Sequence, residues 1–183
     1  MTFSLMQMIN TKEYIDKLGN KYDLHLTTDD ELKECENIFV QAFSKAYEKF
    51  TPEDLGVVDK AAFLHIAFSD VYNDFRTKTQ YLFSATKDGK VIGFVGFKLT
   101  ETPNKVYITQ LAVDPEYWLR GVGKQLILRV FDQFKDANHL VIIARKINTH
   151  ARDFYLSLGF TTCTYMHPGY NPERYIGYEW LKK

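Results

Sequence analysis

Apolar residues recur along this chain with two periods, the strand period of two and the helix period of about 3.6, and the switches between them mark out its elements. Tyr22, Leu24 and Leu26 alternate with polar residues, which predicts a first strand over 22–26. Thr28 with Glu31 forms a capping box, and Leu32, Cys35, Ile38, Phe39, Ala42 and Phe43 follow at helical spacing. Thr51-Pro52 opens another helix, since proline at the first helical position lacks only an N–H that would have no partner. An aromatic-rich helix runs over 59–75. Strands at 81–86 and 91–99 make a hairpin, because Asp88-Gly89 between them favours the tight turn that strand twist requires. A strand at 106–113 ends at Asp114-Pro115. A helix to about Lys135, a buried strand at 139–144, a helix opened by Asn148, and strands near 160–166 and 174–181 complete the chain.

The order β-α-α-β-β-β-α-β-α-β-β predicts an α/β fold, with a mixed, mostly antiparallel sheet of about seven strands flanked by about four helices. Residues 1–20 mix Met, Ile and Leu with charge and end at Gly19-Asn20, so a short helix or loose arm is expected ahead of one domain at 21–183. A chain of 183 residues, 45% of them apolar, can bury one core and is short for two.

Charge narrows the function. Basic and acidic residues number 23 each, which argues against a nucleic-acid partner. No basic flank leads an apolar core at the N-terminus, and no run approaches eighteen apolar residues, so no membrane partner and a cytoplasmic setting are expected. Cys35 and Cys163 lie far apart without metal-ligand spacing, which predicts buried free thiols and no metal site.

The candidate chemistry begins where the strand at 106–113 gives way to Trp118-Leu-Arg-Gly121-Val-Gly123-Lys124 and then to Leu126, Ile127, Val130, Phe131 and Phe134 at helical spacing. A glycine loop that opens a helix is suited to anions, because the first N–H groups lack intrahelical partners and carry the positive end of the helix dipole. Two familiar nucleotide motifs are absent. Gln125 follows Gly123-Lys124 where a P-loop needs Ser or Thr, and Leu126 stands where a dinucleotide fingerprint needs its third glycine.

About thirty residues on comes Asn148-Thr-His-Ala151-Arg-Asp-Phe154-Tyr155-Leu-Ser-Leu158-Gly159-Phe160, directly after the apolar run Leu140-Val-Ile-Ile-Ala144. The two segments together resemble motifs A and B of the GNAT superfamily of acyl-CoA-dependent N-acyltransferases, whose forms are Gln/Arg-x-x-Gly-x-Gly/Ala and Asn-x-x-Ala-x-x-Phe-Tyr-x-x-x-Gly-Phe. The likeness covers residues 91–160. One position departs: Trp118 stands where the family has Gln or Arg, and Arg120 could supply compensating charge.

The resemblance implies acetyl-CoA as cosubstrate. Backbone groups of Leu111, Ala112 and Val113 would pair with the pantetheine arm where two parallel strands splay, and the amides of Leu119, Arg120, Gly121, Val122, Gly123 and Lys124 would hold the pyrophosphate. Asn148 would bond the pantetheine or fix the loop beside it, though an N-cap role explains it equally. Tyr155 would be the general acid to the CoA thiolate, against the alternative of plain aromatic packing, and the Leu111 amide would polarise the thioester carbonyl.

The strand before the glycine loop carries Tyr107, Ile108, Thr109 and Gln110, with no carboxylate to serve as base, so Glu101, His65, Asp70 and relayed water stay open. In this fold the first helices and last hairpin wall the acceptor site, and here they are rich in Phe and Tyr, among them Phe43, Tyr47, Phe63, Tyr170 and Tyr175. A short likeness to bacterial spermidine and spermine acetyltransferases, with Glu53, Asp54, Asp59, Asp70 and Asp74 nearby, implies a small amine such as a polyamine. A protein N-terminus or lysine is the second acceptor class. A non-catalytic acyl-CoA-binding module is the reading of another kind, and pairing through the C-terminal strands would make a homodimer.

Overall fold

The computed structural model describes residues 10–134 and 136–182. One sheet of eight strands runs in the order β1-β2-β3-β4-β5-β6-β8-β7. Its strands are β1 (Lys12–Ile15), β2 (Lys21–Leu26), β3 (Tyr81–Lys87), β4 (Lys90–Leu99), β5 (Lys105–Val113), β6 (His139–Arg145), β7 (Thr161–Cys163) and β8 (Tyr175–Leu181). Every neighbouring pair is antiparallel except β5 with β6. The helices are α1 (Leu32–Ala46), α2 (Pro52–Leu55), α3 (Lys60–Arg76), α4 (Val122–Gln133) and α5 (Thr149–Ser157).

The expected mixed, mostly antiparallel sheet is therefore present, with one strand more than read. That strand corrects the picture of the N-terminal arm. Within 10–20 the chain is neither helical nor loose: β1 pairs with β2 from Lys12↔Leu24 to Ile15↔Lys21, and Gly19, at φ +83°, turns the corner. Residues 1–9 and Lys135 lie outside the described residues, so α4 is seen to end at Gln133.

Two apolar layers cover the sheet. On one face α4 and α5 pack Val122, Leu126, Val130 and Tyr155 against Phe83, Val95, Phe97, Ile108 and Leu140. On the other, α1 and α3 bring Cys35, Ile38, Phe39, Leu64 and Phe68 onto Leu82, Phe94 and Ala112. The local signals act as the chain chemistry requires. Thr51 and Asp54 close a capping box at α2, and the Asp59 carboxylate accepts from the Ala62 N–H at 2.6 Å to open α3. Asp59→Ala is expected to cost about 1 kcal/mol, lowering the midpoint of thermal unfolding by roughly 2–4 °C and checked by calorimetry. In the β3–β4 turn Asp88 and Gly89 both take positive φ, as that tight turn demands.

Cys35 is fully buried beside the Ser84 hydroxyl, and burial pushes its thiol pKa up to about 12. Cys163 is only half-buried, because β7 ends there and its outer face is open. Among the described residues no helix is long and apolar enough to cross a membrane, and no three His, Cys, Asp or Glu side chains gather as a metal site would require.

Candidate active site

The strands β5 and β6 run parallel only from Lys105↔His139 to Ile108↔Ile142. Beyond that, β5 continues to Val113 along β4, while Ile143, Ala144 and Arg145 follow β8 instead. A gap opens between the two strands. Its cause is a bulge: Gln110 faces Gly96 and Ile108 faces Phe97, so Thr109 has no partner across the ladder and turns the strand. Thr109 donates its hydroxyl to Gln80 Oε1 at 2.8 Å, and buried Gln80 donates in turn to the Val71 carbonyl at 2.9 Å. Gly96 makes the bulge possible, since a Cβ there would lie 2.6 Å from Thr109 Oγ1.

Ladder parity tells which backbone groups face the gap. The Asp114 N–H donates to the Ile92 carbonyl at 2.9 Å, and in an antiparallel ladder bonded residues alternate. Asp114 and Ala112 are thereby turned to β4, and the N–H and C=O of Leu111 and Val113 point into the gap. Ala112 is a correction to the sequence reading. Its backbone groups are spent on Phe94, and what it brings to the cavity is a small side chain.

The glycine loop closes one end of this gap. Leu119 takes φ +64° and Gly121 φ +97°, so the chain doubles back into α4, whose N-cap Gly121 offers no side-chain bond. The first helical bond runs from Gln125 N–H to Gly121 C=O at 3.1 Å. The N–H groups of Val122, Gly123 and Lys124 are left without intrahelical acceptors. Gly123 lets the Phe154 ring lie over the loop, since a Cβ would meet Phe154 Cζ at 3.2 Å. Trp118 does not enter the amide cradle: its indole donates to the Val113 carbonyl at 2.6 Å and stacks on His150 at 4.5 Å.

Arg120 is the second correction. Its guanidinium lies over the Tyr117 ring at 4.8 Å and 3.9 Å from buried Asp16, and it does not line the cavity. Charge at the loop comes from an unforeseen place. The β1–β2 turn bonds the loop backbone, Lys17 N–H to Arg120 C=O at 3.0 Å, and brings Lys17 to the cavity beside Leu119, Gly121 and Lys124. The signal was Gly19-Asn20 between Tyr14-Ile15 and Tyr22, a hairpin pattern in a segment whose periodicity is too short to stand out.

Leu111, Val113, Trp118, Gly123, Lys124 and Lys17 line one cavity of about 1140 Å³. Asn148 caps α5, accepting from the Ala151 N–H at 3.0 Å, and also meets the Tyr47 hydroxyl. Tyr155 packs its ring against Phe160 and Tyr178 and is 5% exposed, with its hydroxyl bonded to none of the described residues. Burial lifts its pKa well above the ordinary 10, with the neighbouring Tyr47 adding to the shift. Tyr47, itself buried, is pushed up to about 12.

The far end of the cavity is walled by α1, α3 and the β7–β8 loop, where His167 stacks on Tyr107 at 5.7 Å and Tyr170 packs edge-on to Tyr175 at 4.7 Å. Of the three candidate bases, only Asp70 lines it. His65 pairs with Glu36 at 3.0 Å, and Glu101 is exposed in the β4–β5 turn.

A parallel pair that splays, a strand edge facing the gap and a helix start with free amides together fit an elongated donor that carries a pyrophosphate at one end and an amide-rich arm at the other. Comparison with known proteins decides the family, for a model described as the acetyltransferase (GNAT) family matches residues 33–160. The chain belongs to the GNAT acetyltransferase family. Residues 33–160 are thus an acetyltransferase domain of that family.

Solved GNAT structures share the architecture. The PaiA N-acetyltransferase of Thermoplasma acidophilum, in complex with coenzyme A, is 15% identical with a TM-score of 0.70, covering 87% of this chain and 98% of its own. The GNAT domain of S. lividans PAT is 13% identical at TM-score 0.66, over 98% of this chain and 99% of its own. The ribosomal-protein-S18-alanine N-acetyltransferase of Escherichia coli is 18% identical at TM-score 0.61, over 87% and 93%. Among curated proteins, the UPF0157 protein YqkA of Bacillus subtilis is 27% identical over 96 residues, which are 51% of this chain and 27% of that protein. This chain thus matches about a quarter of that relative's length.

Proposed function

We propose that this domain transfers the acetyl group of acetyl-CoA to a small primary amine by direct attack, with Tyr155 as general acid. The observation that supports this most is the continuity of one cavity, which joins the free amides of α4, the open edge of β5, the Tyr155 hydroxyl and an aromatic chamber.

In this reading the amides of Val122, Gly123 and Lys124 hold the pyrophosphate, with Lys17 adding charge, and the Leu111 backbone and the Val113 N–H pair with the pantetheine as an added strand, the Val113 carbonyl being taken by the Trp118 indole. The bound donor supplies an activated thioester. The Leu111 N–H, which the ladder directs into the gap, polarises the thioester carbonyl, an oxyanion-type role. Tyr155 keeps its proton at neutral pH because burial opposes the phenolate, and it delivers that proton to the departing thiolate. The amine must arrive neutral. Asp70, the one candidate carboxylate on the cavity, or solvent water takes its proton.

A polycationic acceptor gains little support. Asp54 and Asp59 are spent on helix caps, Glu53 does not line the cavity, and Asp74 is neutralised by Lys98 at 2.6 Å. Of the five, Asp70 is the one that lines the cavity with no side-chain partner among the described residues.

Thiol release with acetyl-CoA, read against amino acids, monoamines, polyamines, aminoglycosides and peptides with mass analysis of the products, tests the proposal. Turnover with an acetylated small amine is expected. Transfer confined to peptides would restore the protein-acetylating alternative, and CoA binding with no transfer to any amine would leave a CoA-binding module.

A further inference from the structure

Arg145 ends β6 at the wall of the acceptor chamber and is 9% exposed. Its guanidinium lies over the Phe63 ring at 4.6 Å and the Tyr175 ring at 4.9 Å, held between α3 and β8. One of its nitrogens donates to the carbonyl of Leu55. Among the described residues no carboxylate pairs with it, whereas Lys98, the other cation in this half of the cavity, is matched by Asp74 at 2.6 Å.

A buried charge with no partner is costly, since two ring faces and one carbonyl replace only part of its hydration. The sandwich also fixes the guanidinium plane, so the remaining N–H groups keep one orientation at the chamber wall. A planar fork of donors matches a carboxylate, taken bidentately. The neighbours of Arg145 place it on the acceptor side: Tyr47 just after α1, Leu55 from α2, Phe63 from α3 and Tyr175 from β8, all apart from the glycine loop that opens α4. Tyr47 links it to the reacting end, being within electrostatic reach of both Arg145 and Tyr155.

We infer that the acceptor is a small primary amine that also carries a carboxylate, and that Arg145 is the residue that selects it. The inference rests on the acetyl-transfer reading and narrows its substrate. The amine end reaches the thioester beside Tyr155 while the carboxylate neutralises Arg145.

Matched pairs that differ only by the carboxylate test this: L-lysine against cadaverine, L-ornithine against putrescine, and glycine against methylamine. For the wild-type chain the acid-bearing member of the preferred pair is expected to have a kcat/KM at least ten-fold higher, with the difference mainly in KM. Arg145→Met should bring that ratio close to one and Arg145→Lys should restore part of it, while an acetyl-CoA-induced rise in unfolding temperature shows that each variant is folded. Should a variant fail to fold, the wild-type ratio decides by itself. Equal use of both members, preference for the amine without carboxylate, or a ratio unchanged in Arg145→Met would overturn the inference and leave acetyl transfer standing. Absence of transfer to every amine by a protein that binds CoA would overturn both.

Discussion

Tyr155→Phe is expected to lower kcat for acetyl transfer by about 100-fold or more, in the range that a positioned general acid contributes, while KM for acetyl-CoA stays within about two-fold. The substitution keeps the ring that packs against Phe160 and Tyr178 and removes only the hydroxyl, which is bonded to none of the described residues. Burial raises the tyrosine pKa, so the folded chain favours the neutral, proton-bearing form. The sign of the pH effect follows. Any stability that this neutral form contributes is complete below the unfolded-state value of about 10 and is lost only as pH rises through and above it. Wild-type kcat should therefore show no loss from Tyr155 between about pH 7 and about pH 10, and the Phe variant should lie below it across that span. Thiol-release kinetics at several pH values read both quantities. An unchanged kcat at every pH would remove Tyr155 from the chemistry and leave it as packing.

Gly121→Val is expected to weaken CoA binding by at least about ten-fold, which corresponds to about 1.4 kcal/mol. Gly121 caps α4 at φ +97°, a conformation that a β-branched residue adopts only with strain. Relieving that strain moves the backbone that aims the N–H groups of Val122, Gly123 and Lys124. Titration calorimetry with CoA and with pantetheine separates this from general damage. The loss should appear with CoA, which carries the pyrophosphate, and be small with pantetheine, which lacks it. Equal losses for both would mean that the loop does not hold the phosphates, and no loss would mean that the cradle is elsewhere.

The parts of this molecule that were legible in its sequence are those set by local chemistry. The cap at Thr51, the Asp88-Gly89 turn and the glycine-loop start of α4 each follow from side chains within a few residues of one another. What was not legible depends on pairs distant along the chain. The splay arises because Thr109 bulges opposite Gly96, anchored by Gln80, and because β6 leaves with β8; no single strand records that. Ala112 was read as a backbone partner for the donor, yet parity with β4 turns its groups away. Arg120 was read as compensating charge, but Asp16 draws it aside, and Lys17 comes from a hairpin whose strands are too short to signal strongly. Arg145 lies just past the buried strand read at 139–144, and only the structure, which extends β6 to it and brings Phe63, Tyr175 and Leu55 around it, shows that its charge lacks a carboxylate partner among the described residues.

Hydrogen–deuterium exchange with and without CoA tests the donor seat between β5 and β6 directly. Binding should slow exchange at Leu111 and Val113 and at Val122, Gly123 and Lys124, while Ala112, already bonded to β4, changes little. Protection confined to other segments, or none at saturating CoA, would mean that the donor does not sit between β5 and β6.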